Sequence, residues 1–215
     1  MKVARCPFLL IVLILPLTAL AIPDYKVDLG FNAGFTFNDD VNDVFVLAGG
    51  KVLVAGKVCT SGSATSCTPI LRRLNSDGSI DGTFSVAIGP ITGGGGTVSR
   101  IKPLPSGQFL ILGDFNVGTQ RSNTIRISSE GVIDPNLSPT LLGNLLDLET
   151  TPDGKIVVCG ERTINGQFYD VAYRLNADGT PDADFRITFI AGRCWSVEVQ
   201  PDGKYVLAVD SDPGA

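Results

Sequence analysis

Four stretches of this chain can be laid under one another in register, and that internal repetition limits its fold more than any other feature. They are residues 42–56 (NDVFVLAGGKVLVAG), 100–113 (RIKPLPSGQFLILG), 146–160 (LDLETTPDGKIVVCG) and 195–209 (WSVEVQPDGKYVLAV). Each reads as a short apolar strand, a turn and a second apolar strand. The turns carry Gly49-Gly50, Ser106-Gly107, Asp153-Gly154 and Asp202-Gly203, dipeptides expected to supply the positive φ of a two-residue hairpin. Lys51, Gln108, Lys155 and Lys204 follow them, and successive turns lie 57, 47 and 49 residues apart. A period of that size belongs to stacked repeat units, which cannot cover their own apolar faces alone.

A second element follows the first three hairpins: residues 73–84 (RLNSDGSIDGTF), 126–137 (RISSEGVIDPNL) and 174–185 (RLNADGTPDADF). An apolar strand ends in Asn or Ser, and Asp77-Gly78, Glu130-Gly131 or Asp178-Gly179 makes a turn. An Asp then precedes a large apolar residue that reads as a core plug. The aspartates of these turns are expected to bond their own backbone. Each unit thus offers about four antiparallel strands, with the longest and most variable loop between the second and third. The fold class that follows is all-β, a β-propeller of four-stranded antiparallel blades, about three and a half of them present. A parallel β-helix or a flat β-array is the rival arrangement, and the antiparallel hairpins count against the β-helix.

The "PDGK" hairpin of residues 200–204, the "RLN.DG" turn and the "D..F" plug of residues 174–185 together resemble the delta-60 repeat family of secreted bacterial proteins. Residues 113–127 (GDFNVGTQRSNTIRI) resemble that family's link between hairpin and third strand. The resemblance spans residues 28 to 210 and recurs in register. It implies a β-propeller fold and a secreted or surface setting, and it brings no catalytic residues with it. Two repeats depart from the pattern. The first has Leu47-Ala48-Gly49-Gly50 where Pro-Asp-Gly is usual and extra residues around its cysteines, and the second has Glu130-Gly131 and a looser Asp134 to Leu137.

The repeat units run over about 42–90, 99–140, 146–190 and 195–215. Residues 28–35 (DLGFNAGF) read as the tail of a repeat with no hairpin before it, and residues 211–215 follow the last hairpin without a third strand. An incomplete ring is therefore expected, closed by missing blades or by a partner chain. A short four-bladed ring closed by strand exchange is the alternative.

Lys2 and Arg5, the apolar stretch Phe8 to Leu17 and the triplet Ala19-Leu20-Ala21 form a signal-peptide pattern over residues 1–21, leaving a repeat domain of residues 22–215. The apolar stretch is shorter than the roughly 20 residues that span a bilayer and contains Pro16. The mature chain is expected to have no membrane span and to be secreted, extracellular or at the cell surface. Cleavage removes two basic residues and no acidic one from a chain whose net charge is already -5. With no His and no basic cluster, nucleic acid is excluded as a partner, because phosphate neutralisation needs grouped Lys and Arg. A polysaccharide or a protein surface fits better.

Cleavage also removes Cys6 and leaves Cys59, Cys67, Cys159 and Cys194, which allow three pairings. Export makes disulfides reasonable. Cys59 and Cys67 bracket a short polar segment and are the favoured bridge. Cys159 and Cys194 then form a second bridge or remain two buried thiols. Zinc is disfavoured, since there is neither CxxC nor His.

The residue expected directly after each second strand is Lys57, Asp114, Glu161 or Asp210, positions that share one rim of a propeller. Carboxylates at Asp114, Glu161 and Asp210 could hold calcium, the one cofactor candidate, or accept the hydroxyls of a sugar. Charge that keeps strand ends soluble is the plainer reading. No catalytic residue is assigned: there is no His, no GxSxG elbow, and the Gly93–Gly96 run lacks the Lys-Ser/Thr of a phosphate loop. Carboxylate pairs such as Asp39 with Asp40, or Glu161 with Asp170, leave open a fragment of a carbohydrate-active propeller enzyme. Trp195 reads as packing beside Cys194, with a sugar-stacking platform as the alternative. The function expected is a binding, adhesion or scaffold module without evident catalysis. Its loops at 57–69, 114–123 and 161–170 would present a surface on a rigid scaffold.

Overall fold

The computed structural model describes Phe31 and residues 40–59, 67–91, 94–137, 144–164, 167–188 and 193–210, the side chains of Asn144, residues 161–171, 186–188 and Asp210 excepted. The expected signal segment, the tail at 28–35 apart from Phe31, and residues 211–215 lie outside the described residues.

Every regular element among the described residues is a β-strand, and the strands fall into four antiparallel sheets, one per repeat. The first holds β1 (Val41–Val46), β2 (Val52–Cys59) and β3 (Cys67–Leu74). The second holds β4 (Thr97–Pro103), β5 (Phe109–Val117) and β6 (Gln120–Ile127). The third is four-stranded, β7 (Asn144–Thr150), β8 (Ile156–Ile164), β9 (Gln167–Leu175) and β10 (Pro181–Thr188). The last sheet is the hairpin of β11 (Arg193–Val199) and β12 (Tyr205–Asp210). In the first two sheets the counterpart of β10 shrinks to the single bridges Leu74 to Ile80 and Ile127 to Ile133.

The turns are longer than the two-residue hairpins the dipeptides predict. Gly50 N–H donates to the Leu47 carbonyl and Leu47 N–H to the Lys51 carbonyl, leaving three residues in the loop. The same pair of bonds closes the hairpins at Leu104–Gln108, Thr151–Lys155 and Gln200–Lys204, and the turns at Asn75–Ser79, Ser128–Val132 and Asn176–Thr180. In each, the last loop residue is a glycine in the left-handed region, such as Gly154 at φ 81° and Gly179 at φ 84°. That residue returns the chain to register after a tight turn, which is why the glycine is needed there and why a three-residue loop is the stable solution. Asp77 and Asp178 accept the backbone N–H two residues on, as expected of turn aspartates.

Each first strand has a register break at the same place, between Val41 and Asp43, Val98 and Arg100, Leu145 and Asp147, and Cys194 and Ser196. The bulge turns the strand so that one face packs on the preceding sheet. Leu53, Ala55, Leu71 and Phe84 of the first sheet meet Val98, Ile101 and Ile111 of the second. Leu110, Leu112 and Leu137 meet Leu145, Leu148 and Val158 of the third. Val157, Cys159 and Ala172 meet Cys194 and Val197 of the fourth. The plug residues Phe84 and Leu137 fill these cores as the repeat predicts.

A charged latch joins the elements of each of the first three sheets and reaches the next. Asp81, 5% exposed, accepts from Lys51 Nζ at 2.7 Å and Arg73 Nε at 2.7 Å. Asp182 accepts from Lys155 Nζ and Arg174 Nε, each at 2.7 Å. In the second sheet Gln108 replaces the lysine, so that Arg126 at 2.8 Å is the cation on Asp134, with the Asn136 N–H and side-chain amide donating to its other oxygen. The far side of each guanidinium crosses to the following sheet: Arg73 donates to the Ser129 carbonyl at 2.6 Å, Arg126 to the Ala177 carbonyl at 2.5 Å, and Arg174 to the Tyr205 hydroxyl at 3.0 Å. Arg73 and Arg174 also stack over the plugs Phe84 and Phe185.

Two disulfides are formed, Cys59–Cys67 and Cys159–Cys194. The first closes an eight-residue separation between β2 and β3, and the second, spanning 35 residues, staples β11 to β8 of the preceding sheet. By loop-closure entropy the longer bridge is worth about 3–4 kcal/mol and the shorter about 2–3 kcal/mol. Replacing Cys159 and Cys194 together by Ser should lower stability more than the Cys59/Cys67 pair does. Hydrogen exchange should show the loss concentrated in β11 and β12.

The latch also sets an acid limit. The Lys155 ammonium, then the Arg174 guanidinium, lower the Asp182 carboxyl from 3.8 to about 2. Lys51, Thr83 and Arg73 push Asp81 down further. A carboxyl depressed in the folded state contributes stability that is complete above its unfolded pKa and is lost as pH falls through the folded one. Stability should therefore hold down to about pH 4 and decline from there to pH 2 and below. Asp182→Asn should lower the melting temperature at neutral pH and flatten that decline, measured by thermal unfolding across the pH series.

Candidate functional site

The four rim residues named from the sequence occupy one register position. Asp114, Glu161 and Asp210 partner Thr97, Asn144 and Arg193, the first residues of β4, β7 and β11. Lys57 takes the same place, donating its backbone N–H to the Asp40 carbonyl. The second strands do not end there, however. β2, β5 and β8 run on to Cys59, Val117 and Ile164, and of the four only Asp210 closes its strand. The expected loops at 114–123 and 161–170 are thus mostly strand, and the expected loop at 57–69 is strand at both ends. The reason is that strand two stays laddered to strand three after strand one has left it. In the second sheet a bridge from Gly89 to Asn116 also covers the vacated edge. Gly113 is where the first strand departs: the Thr97 carbonyl lies 2.3 Å from where a Cβ would stand, so only glycine admits that crossing.

Among the described side chains, the rim carboxylates Asp114 and Asp40 are each matched with a cation. Both oxygens of Asp114 accept from Arg121, at 2.7 Å each, and Asp40 lies 3.2 Å from Lys57 Nζ. Glu161 and Asp170 are register partners across β8 and β9; their side chains, that of Asp210, and Asp39 lie outside the described residues. Among the described residues no group of three Cys, Asp or Glu stands close enough to hold a metal ion.

The bulges of the first strands create a second line of polar residues that sequence reasoning missed. Asp43 Oδ2 accepts the Ile101 N–H of the next sheet at 2.8 Å. Asp147 Oδ2, in the same repeat position, accepts the Val197 N–H at 3.1 Å and the Ser196 hydroxyl at 2.7 Å. In the sheet between them the position is held by Arg100, whose Nε lies 3.8 Å from Asp147. An Asp at the second place of repeats one and three was the available signal, but in sequence it looks like any solvated strand residue.

The bulged residue itself decides whether the junction is sealed. Asn42 reaches across to Thr97 Oγ1 and the Val98 carbonyl, at 2.7 and 2.8 Å. Its counterpart one sheet on is Ser99, whose shorter hydroxyl turns back to the Leu112 carbonyl of its own sheet. A cleft of about 300 Å³ remains there, bounded by Ser99, Arg100, Asp114, Leu146 and Trp195. Trp195 is the bulged residue of the last sheet and is 47% exposed. This corrects the packing expected of it, which falls to the buried Cys194 instead, because the bulge swings residue 195 out of the core-facing alternation. Arg193 covers one part of the indole, 4.9 Å from its centroid.

The family model "Domain of unknown function (DUF5122) beta-propeller" matches residues 50–84 and 151–185, the first and third repeats from hairpin turn to plug. The chain is built of β-propeller blades. Their array is not closed among the described residues. Two solved structures titled glucose dehydrogenase are remote likenesses. One has 14% identity and a TM-score of 0.39, covering 78% of this chain and 79% of that one; the other has 15% and 0.38, covering 78% and 77%. No curated protein matches the sequence. No helix among the described residues is long and apolar enough to cross a membrane.

If Ser99 keeps the cleft open by being short, Ser99→Asn should close it as Asn42 closes the preceding junction. One added hydrogen bond across the blades should raise stability by about 1 kcal/mol, read as a higher thermal midpoint with an unchanged far-ultraviolet spectrum.

Proposed function

We propose that this chain is a secreted module of the delta-60 repeat kind that binds a polysaccharide in the cleft between its second and third blades, without catalysis. The observation that carries the reading is the exposed Trp195 ring beside Ser99, Arg100 and the Asp114–Arg121 pair. An aromatic face next to hydroxyl, guanidinium and carboxylate groups suits a ring that is apolar on one face and hydroxylated at its edge. The acidic net charge and two disulfides are in keeping with a life outside the cell. Asp114 is an acceptor whose oxygens both face Arg121, which suits it to holding a ligand hydroxyl better than to shuttling a proton.

The test is binding of the purified chain to a panel of soluble polysaccharides by affinity electrophoresis and calorimetry, with reducing-end release followed in parallel. At least one polysaccharide should bind without release, and Trp195→Ala, made on an exposed side chain, should weaken it about tenfold or more. Ser99→Asn should do the same by filling the cleft. Release of reducing ends that disappears in Asp114→Asn or Glu161→Gln would favour the carbohydrate-active enzyme instead, and no binding across the panel would end the polysaccharide reading.

A further inference from the structure

At two of the three blade junctions, a carboxylate on one first strand accepts a backbone N–H of the next. Asp43 accepts from Ile101, and Asp147 accepts from Val197. The register explains why those donors are available. The bond from Thr151 N–H to the Lys155 carbonyl sets the phase of the third ladder. Counting back from it, Leu148 and Val158 form a non-hydrogen-bonded pair, and the Leu148 N–H faces away from β8. The same count from Leu104–Gln108 and Gln200–Lys204 turns the Ile101 and Val197 N–H groups outward, where the aspartates meet them.

Between the second and third blades, the place of Asp43 and Asp147 belongs to Arg100, which has donors and no acceptor. Leu148 is buried, and its N–H has no acceptor among the described residues. A buried backbone donor in that state is rare and costly. Arg100 is itself under-used. Its Nη1 donates to the Ser99 carbonyl at 2.9 Å, while Nε stands 3.8 Å from Asp147 Oδ1, beyond hydrogen-bond reach. The Nε–Nη2 edge, which grips a carboxylate with two parallel bonds, is therefore unbonded among the described residues. The neighbouring carboxylates are engaged elsewhere, Asp147 Oδ2 by Ser196 and Val197, and Asp114 by Arg121. Arg100 also walls the cleft that Trp195 borders.

We propose, building on the polysaccharide reading above, that this junction takes the carboxylate of an acidic sugar, a uronate unit of the bound chain. The Arg100 fork and the Leu148 N–H would hold it in the place that Asp43 and Asp147 fill at the other junctions. A neutral hydroxyl could accept the N–H but would bring no charge to the guanidinium. The net charge of -5 works against any general attraction for polyanions, so a preference for a charged polysaccharide has to come from a local pairing of this kind.

The probes are polygalacturonate, the same polymer with its carboxyls reduced to alcohols, and free galacturonate against free galactose, each with the intact purified chain. Polygalacturonate should bind roughly tenfold tighter than the reduced polymer, the scale of one charge-assisted bond. Arg100→Asn, whose amide oxygen can accept the Leu148 N–H, should abolish that preference without lowering the melting temperature, and Arg100→Lys should keep part of it. By NMR, galacturonate and not galactose should shift the Leu148 amide and the Arg100 Nε–H. Equal binding of the two polymers, or a preference that survives Arg100→Asn, overturns the acidic-sugar site and leaves the polysaccharide reading standing. Galacturonate that shifts Leu148 and Arg100 while neither polymer binds upholds the carboxylate site and removes the polysaccharide instead. No shift and no binding with any probe ends both.

Discussion

One guanidinium in each of the first three blades holds this architecture together. A single antiparallel sheet buries one face against each neighbour, and apolar contact alone is tolerant of sliding. Arg73, Arg126 and Arg174 remove that freedom. Each is fixed through Nε to an aspartate of its own blade and sends a second donor to the blade that follows. A lysine could supply the charge but not two diverging donors in a rigid plane. The aspartate is buried enough to need its partners and is given them: Lys51 or Lys155, the arginine, and the backbone N–H two residues on. Where Gln108 stands in for the lysine, Asp134 is more open, 17% exposed against 5% for the other two. A carboxylate with one cation fewer is left with more water.

That latch explains why the sequence repeats as it does. The residue after the hairpin turn, the arginine of the third strand, the aspartate and the plug are far apart in the chain, yet they recur together because they are one contact. From sequence the hairpins, the antiparallel order, the plugs and the stacking were all legible, since each leaves a local pattern. The pairing of Lys51 with Asp81 was not, because turn aspartates have a sufficient local explanation in their own backbone. Strand length misled for a related reason. Polar residues at 114–123 and 161–170 look like loop, but strand two and strand three remain hydrogen-bonded beyond the point where strand one departs, and a ladder edge tolerates polar side chains.

The cleft was illegible for a different reason. It arises from a difference between repeats rather than from a shared residue. Asn42 and Ser99 are both small, polar and at the same place in their units, and only the reach of an amide against that of a hydroxyl separates a sealed junction from an open one. The exposure of Trp195 depends on the bulge after Cys194, which inverts the facing that simple alternation assigns. Register breaks of this kind leave no mark in composition or periodicity, although four of them at one repeat position show how strictly the fold uses them.

Stacked blades have a further consequence at their ends. Val44 occupies the position at which Ile101, Leu148 and Val197 are buried against a preceding blade, and it is 56% exposed. Val206 occupies the position of Leu53, Leu110 and Val157, buried against a following one, and is 52% exposed. The stability of such an array is close to a sum of blade and interface terms, so a terminal blade with one interface is weaker than an internal blade with two. Of the two disulfides described, one joins the second and third strands of the first blade and the other ties the fourth blade to the third. The second bridge thus adds covalent support at the described interface with the smallest buried core, the one formed by Val157, Cys159, Ala172, Cys194 and Val197.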